Sequence, residues 1–173
     1  NHQEVSVSEE LLDCFRRIDA TLREHQGSTS GDISNAQRRA ILDGLGTASS
    51  DYRHNIYKED FSGRKGTLAL SDLASFVEVA LSHLEHSIRA NKRADGLYHA
   101  YNLMTVEADG GVDITYLPEM LEGQVAVLSS GLLDAKESLE VLDALKASAL
   151  FREDQYSYVL YPNKDLPRFL DKN

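Results

Sequence analysis

The stretch 47–68 holds the side chains best suited to binding an anion or a sugar. The chain as a whole is acidic, with a formal net charge of −10. Against that background the stretch gathers five basic or imidazole side chains: Arg53, His54, Lys58, Arg64 and Lys65. Basic groups bind phosphate, and the tyrosines of the same stretch can pack against sugar rings. Because apolar periodicity is lost here, we predict a long functional loop facing an oligosaccharide or phosphate. The alternative is a solvated loop with its aromatic residues tucked beneath it.

A second candidate cluster consists of Arg152, Glu153 and Tyr156. It follows a predicted helix and precedes a tyrosine-rich strand, and the ends of such elements often line pockets. We predict that this cluster and the 47–68 stretch contribute to one substrate-facing surface. Local ion pairing at the end of the helix is the alternative. The chain contains no tryptophan, which argues against a strong carbohydrate platform.

Three other arrangements could do chemistry but have simpler explanations. His83 and His86 lie three residues apart and could share a metal ion, but the sequence shows no third ligand. We therefore expect two solvated histidines and predict no metal and no cofactor. Glu119 and Glu122 fit the first turn of a helix, where the helix dipole favours acidic residues. Cys14 is the only cysteine, so an internal disulfide is excluded.

Helical periodicity dominates the rest of the chain. Five helices are predicted: from a Ser6–Glu9 capping box to about His25, from Asp32 or Ser34 to Gly44 and Gly46, from Ser71 to about Asn91, from Pro118 to Leu128, and from an Asp134–Glu137 capping box to Ala149. The third helix carries the clearest apolar stripe, which we predict to face the core. Its members are Leu73, Phe76, Val77, Ala80, Leu84 and Ile88.

Two further regions have strand character. The runs 97–106 and 112–117 flank Asp109-Gly110-Gly111, which predicts a β-hairpin, and 156–161 alternates as one more strand. The predicted fold class is therefore mainly α, with helical hairpins, a short β-hairpin and one further strand. The length of 173 residues predicts a single domain.

The acidic balance excludes some classes of partner. Nucleic acids and anionic membrane surfaces attract basic patches, so we expect neither as a partner. No apolar run approaches the roughly 20 residues of a membrane span, and the first residues are too polar for a signal peptide. These features favour a cytoplasmic location.

The stretches 97–104 (LYHAYNLM) and 151–163 (FREDQYSYVLYPN) resemble segments of large bacterial proteins related to cellobiose phosphorylase. The resemblance implies a piece of a toroid of paired helices, from a parent chain that acts on oligosaccharide glycosidic bonds with phosphate or water as acceptor. The Trp-Asn-Asp-Gly-like segment that carries the general acid in that family is missing, so no catalytic residue can be assigned. The resemblance thus implies a fragment that is not active alone.

A different class of function is also open. A self-contained helical module that binds a protein partner would fit the same pattern of helices. An apolar groove left open between the first helix and the 71–91 helix would favour this alternative.

Overall fold

The computed structural model describes residues 3–164, 167, 168 and 171. Five α-helices lie within this part of the chain: α1 Glu9–Glu24, α2 Asn35–Glu59, α3 Leu70–Ala90, α4 Leu121–Ser129 and α5 Ala135–Ala147. A 3-10 helix, Gln26–Ser30, connects α1 to α2. Six short strands form three two-stranded sheets: β1 Glu4–Ser8 with β2 Lys65–Ala69, β3 Asn102–Val106 with β4 Val112–Tyr116, and β5 Phe151–Arg152 with β6 Ser157–Tyr158. The predicted mainly α class with a short β-hairpin is confirmed.

The chain divides into two compact units. Unit 1 comprises Asn1–Ala90 and Thr105–Asp113, and unit 2 comprises Asn91–Met104 and Ile114–Asn173. One domain can contain two compact units, so the single domain remains a prediction. No helix in the described ranges is both long and apolar enough to cross a membrane.

The ribbon of β1 and β2 anchors unit 1. The two strands are antiparallel, with Glu4 opposite Ala69 and Ser8 opposite Lys65. Helix α1 follows β1 directly, and the Ser8 hydroxyl accepts a hydrogen bond from the Leu11 amide at 3.2 Å. The predicted helix start at a Ser6–Glu9 capping box is therefore wrong, because the residues from Glu4 to Ser8 pair with β2 before the helix begins.

Helix α2 packs closely along α1. A Cβ added to Gly44 would lie 2.6 Å from Thr21 Cγ2, so glycine is what allows the two helices to approach at this point. Ala48 is fully buried, and Arg17 on α1 donates to Asp51 Oδ2 at 2.8 Å. These contacts hold α2 against α1 over several turns.

The predicted end of this helix at Gly44 is wrong, and so is the predicted loop over 47–68. Helix α2 continues to Glu59, and β2 starts at Lys65. Ile41, Leu45, Ala48, Tyr52 and Ile56 follow a helical spacing, and all are buried or half-buried. The glycine that we interpreted as a helix stop is a contact point between helices.

Helix α3 matches the predicted range but packs by a different face. Val79 is its only buried residue, and the Phe76 ring lies 5.1 Å from that of Phe15 on α1. Half of the predicted core stripe is exposed, namely Leu73, Val77 and Leu84, while its other three members are half-buried. The covered side of α3 carries Val79, His83 and His86 and includes the predicted stripe at Phe76.

Unit 2 is built around the segment that follows α3 and around the α4–α5 hairpin. Leu97, Leu145 and Leu150 form its buried apolar cluster. Gln124 on α4 is fully buried and binds both backbone groups of Tyr98, accepting from its N–H and donating to its C=O at 2.8 Å each. One amide side chain thereby provides hydrogen-bond partners for both the N–H and the C=O of a buried residue.

The other element limits in this part of the chain are partly as predicted. Helix α5 begins at the predicted capping box of Asp134 and Glu137. Helix α4 begins at Leu121, three residues after the predicted Pro118. The β3–β4 hairpin is confirmed, with its turn closed by a Glu107 N–H···O=C Gly111 bond of 2.8 Å. The predicted 156–161 strand is reduced to the two residues of β6.

The packing of α3 can be tested with a pair of substitutions. Phe76→Ala should lower the free energy of unfolding by about 2 kcal/mol, below the ~3–5 kcal/mol of a fully buried phenylalanine because Phe76 is half-buried. Leu84→Ala should change it by less than about 0.5 kcal/mol, because Leu84 is 59% exposed. Urea unfolding measures both values. A larger loss for Leu84→Ala than for Phe76→Ala would contradict this packing.

Gln124→Leu should destabilise unit 2 by about 2–3 kcal/mol, because it leaves the buried Tyr98 N–H and C=O unpaired in a site of similar volume. Val125→Ala on the same helix is the control, since Val125 is 55% exposed. Hydrogen exchange at the Tyr98 amide gives a local measurement. Unchanged protection of that amide in Gln124→Leu would show that the two hydrogen bonds from the Gln124 side chain are not needed for the stability of this segment.

Candidate functional site

Unit 1 contains a cleft between the start of α1, the second half of α2 and β2. Its volume of ≈ 560 Å³ lies in the range typical of small-molecule sites. Its lining is mostly polar and charged: Glu9, Glu10, Leu12, Asp13, Arg16, Tyr52, Asn55, Arg64, Gly66 and Thr67. A smaller cleft of ≈ 400 Å³ shares Leu12, Arg16 and Thr67 with it.

The first two turns of α1 supply one wall of the cleft. Glu9, Asp13 and Arg16 are separated by four and three residues, which places them on one side of the helix. Glu9 and Glu10 occupy the first turn, where the helix dipole stabilises negative charge. Arg16 is exposed and forms no ion pair within the described residues, so its donors are free to bind a ligand.

The segment leading into β2 forms hydrogen bonds with Glu9 and Glu10. Arg64 Nε donates to Glu9 Oε2 at 2.5 Å, and the Ser62 N–H donates to Glu10 Oε1 at 2.9 Å. The Glu9 N–H donates in turn to the Arg64 carbonyl at 3.2 Å. Because the Arg64 and Glu9 side chains are 70% and 45% exposed, their ion pair contributes little stability and mainly fixes position.

The ribbon also depends on close packing beneath the cleft. A Cβ added to Gly66 on β2 would lie 2.5 Å from Leu12 Cδ2, and Leu12 is buried. Glycine therefore lets β2 lie directly on α1. This approach brings Thr67 to the same opening as Arg16.

Hydrogen bonding keeps Glu10 ionised. The Ser62 hydroxyl contributes most, followed by the N–H groups of Glu10 and Ser62, and together they lower the pKa of Glu10 to about 2. A carboxyl group with so low a pKa is a hydrogen-bond acceptor at neutral pH and a poor proton donor. The cleft is therefore better suited to binding than to acid catalysis.

Of the five basic or imidazole side chains predicted in the 47–68 stretch, Arg64 lines the cleft and the other four do not. Arg53, His54 and Lys58 are exposed on α2, and Lys65 begins β2. The same stretch also contributes Tyr52, Asn55, Gly66 and Thr67 to the lining. The helical spacing of Tyr52 with Ala48 was the sequence signal that could have identified the α2 wall. Substrate binding by the four predicted residues remains a prediction.

The second predicted cluster belongs to unit 2 and is organised by ion pairing. Arg152 binds Asp154 through two hydrogen bonds of 2.8 Å, and this pair lowers the pKa of the Asp154 carboxyl group. Tyr156 is 78% exposed, and its ring lies edge-on to Phe151 at 5.6 Å. The Glu153 side chain, which lies between Arg152 and Asp154 in the sequence, is exposed. A surface shared with the 47–68 stretch remains a prediction, because the two clusters belong to different units.

The expectation that His83 and His86 are solvated is wrong. His83 Nε2 lies 2.8 Å from the Leu22 carbonyl oxygen, and His86 Nδ1 lies 3.1 Å from that of Thr29. Leu22 is in the last turn of α1, where carbonyls lack helical partners. The histidines therefore join α3 to the end of α1 and to the 3-10 helix. In the described ranges, no three His, Cys, Asp or Glu side chains are arranged to hold a metal ion.

Neither a protein-family model nor a curated protein matches the chain.

The low pKa of Glu10 predicts a specific dependence of stability on pH. An unfolded glutamate titrates near about 4.3, so the stabilisation from Glu10 is complete above that pH. It is lost as the pH falls toward about 2, where the folded carboxylate is protonated. Glu10→Gln should therefore make the free energy of unfolding less dependent on pH between about 5 and 2.

Urea unfolding at a series of pH values measures this effect. Glu140→Gln is the control, because Glu140 lies on α5 in unit 2, 3.9 Å from Lys136. Identical pH slopes for wild type and Glu10→Gln would contradict the hydrogen-bonded geometry at Ser62.

Proposed function

We propose that the chain is a substrate-contacting segment of a carbohydrate-active enzyme similar to cellobiose phosphorylase, and that the unit 1 cleft binds part of an oligosaccharide. The observation that carries the proposal is the mixture of groups in this cleft. The exposed Asp13 side chain offers oxygens that accept hydrogen bonds from hydroxyls, while Arg16 and Asn55 offer donors. Tyr52 adds an aromatic surface of the type that packs against sugar rings.

The proposal assigns binding to this chain and the reaction to the rest of a larger parent protein. Glycosidic bond cleavage requires a carboxyl group that holds its proton near neutral pH, with a raised pKa. Among the described carboxyl groups with a resolved shift, Glu10, Asp95 and Asp154, each pKa is lowered. The parent would be a glycoside phosphorylase or hydrolase, and we assign it no catalytic residue here.

Phosphate is a second ligand under the same proposal. The exposed basic groups Arg53, His54, Lys58 and Lys65 could bind it by charge. A cytoplasmic location also belongs to the proposal, and the free, buried thiol of Cys14 is compatible with a reducing compartment.

A helical interaction module is the second candidate function. It is favoured by a different observation, the exposed apolar stripe along α3 in unit 1. Contiguous exposed apolar surface marks contact sites for proteins more often than contact sites for sugars. The two functions use different surfaces and can be tested separately.

Oligosaccharide binding can be tested by NMR titration of the folded chain with cellotetraose. We expect amide shifts at the cleft residues Asn55 and Thr67, with millimolar affinity because the cleft is open. Arg16→Ala should weaken binding about fivefold, the loss expected for one solvent-exposed hydrogen bond of about 1 kcal/mol. Lys136→Ala is the control, an exposed cation on α5 outside the cleft lining, and should leave the affinity unchanged. Arg53→Ala tests the exposed basic face of α2 separately.

Two other results would change or contradict the proposed oligosaccharide site. Loss of binding in Arg53→Ala but not in Arg16→Ala would move the site to the basic face of α2. No amide shift at the cleft residues with 50 mM cellotetraose would remove oligosaccharide binding by this chain.

A further inference from the structure

One face of α3 is apolar and exposed along most of the helix. We call it the α3 apolar face, and its members are Leu70, Leu73, Val77, Leu81, Leu84 and Ile88. Five of these six side chains are 37% to 59% exposed, and Ile88 is half-buried. Exposed leucines at single positions are ordinary, but a continuous stripe at helical spacing is not.

Packing within unit 1 already uses the other side of the helix. Phe76, Val79, His83 and His86 contact α1, the 3-10 helix or the interior of unit 1. At about 100° per residue the mean direction of these positions lies roughly 140° around the helix from that of the α3 apolar face. The α3 apolar face is therefore additional to the surface that stabilises unit 1.

The geometry of the face fits another helix. From Leu70 to Ile88 its members are separated by three or four residues, which is the spacing that packs helix against helix. At about 1.5 Å per residue the face is roughly 27 Å long, the length of five helical turns. Amphipathic helices bind to proteins through the same spacing of apolar anchors.

The two edges of the face differ in charge and size. Glu78 and Glu85 lie along one edge and are exposed, while Ala80 and Ser87 lie along the other. A partner with Lys or Arg beside the glutamates would gain favourable pairing, and the small residues would permit close approach on the other side. The acidic character of the whole chain would add attraction at long range.

A second copy of the chain fits this pattern less well. When two copies of one helix pair antiparallel through the same face, each edge meets the same edge of the other copy. Glu78 and Glu85 would then lie beside the glutamates of the second copy. Like charges at such an edge weaken pairing and exclude partners of the same sign.

We propose that the α3 apolar face binds an amphipathic helix of a partner protein, with apolar anchors at spacings of three and four and with basic residues along the edge that meets Glu78 and Glu85. This inference rests on the interaction-module candidate and is independent of oligosaccharide binding in the cleft. Six partly exposed side chains make a small contact, so the complex is weak and transient, with a dissociation constant of roughly 10–100 μM.

The test uses two synthetic 21-residue helical peptides with the same leucine stripe. One carries lysines along the edge that would meet the glutamates, and the other carries glutamates there. Fluorescence anisotropy with the full chain should show that the lysine peptide binds at least about tenfold more tightly. The double variant Glu78→Lys, Glu85→Lys should reverse this preference. The control is the double variant Asp32→Lys, Glu107→Lys, which makes the same change in net charge at exposed sites outside the α3 apolar face. This control should keep the preference for the lysine peptide.

The apolar contact has its own matched pair of variants. Leu84→Asp should weaken binding of the lysine peptide at least about tenfold. Leu139→Asp on α5 should not, although Leu139 is 58% exposed and Leu84 is 59% exposed. Circular dichroism confirms that each variant is folded.

Three results would overturn the proposal. The first is equal binding of the lysine peptide by wild type and the Glu78→Lys, Glu85→Lys variant. The second is no binding at 1 mM chain. The third is a concentration-dependent dimer in sedimentation that Leu84→Asp abolishes, which would make a second copy the occupant. None of these results bears on cellotetraose binding, so the cleft and the α3 apolar face succeed or fail separately.

Discussion

The antiparallel pairing of β1 with β2 is the constraint on which unit 1 depends. Each strand runs directly into a helix, β1 into α1 and β2 into α3, so five paired residues fix the starting points of two long helices. The same pairing places Arg64 beside Glu9 and the Ser62 amide beside Glu10. A two-stranded ribbon alone is marginal in water, so it depends in turn on packing of Gly66 against Leu12. The ribbon, the two helices and the cleft therefore share the same set of contacts.

Hydrogen bonding to backbone carbonyls near the end of α1 helps to explain which face of α3 packs against the rest of unit 1. The Leu22 carbonyl lies in the last turn of α1, where carbonyls lack helical partners, and the Thr29 carbonyl lies in the 3-10 helix. The α3 histidines lie within hydrogen-bonding distance of these two carbonyls. The contact between the rings of Phe15 and Phe76 completes this side. Polar and aromatic contacts thus occupy the inner face of α3. The apolar stripe is left outside, where a partner helix can reach it.

The two candidate surfaces of unit 1 differ in the physics of recognition. The cleft presents charged and amide groups that suit a hydroxylated ligand, and its carboxylate at Glu10 is held ionised. The α3 apolar face presents aliphatic side chains and recognises shape and hydrophobicity, with two glutamates to set the orientation of a partner. A ligand can therefore bind to either surface without contacting the other. A segment with both surfaces would combine binding of a substrate with attachment to another helix.

Helices and turns follow from the amino-acid sequence alone wherever interactions between neighbouring residues dominate. The α5 capping box at Asp134, the range of α3 and the hairpin around Gly110 are of this kind. What those elements pack against depends instead on contacts between residues distant in sequence. Gly44 is a glycine because Thr21 of another helix lies against it, and Ser6 is in a strand because Thr67 pairs with it. The part of the cleft lining on α1 was missed for the same reason, since it lies far in sequence from the predicted 47–68 stretch. Apolar periodicity identifies a helix face that is favourable to bury. Which segment packs against that face depends on contacts between distant residues, which the periodicity does not show.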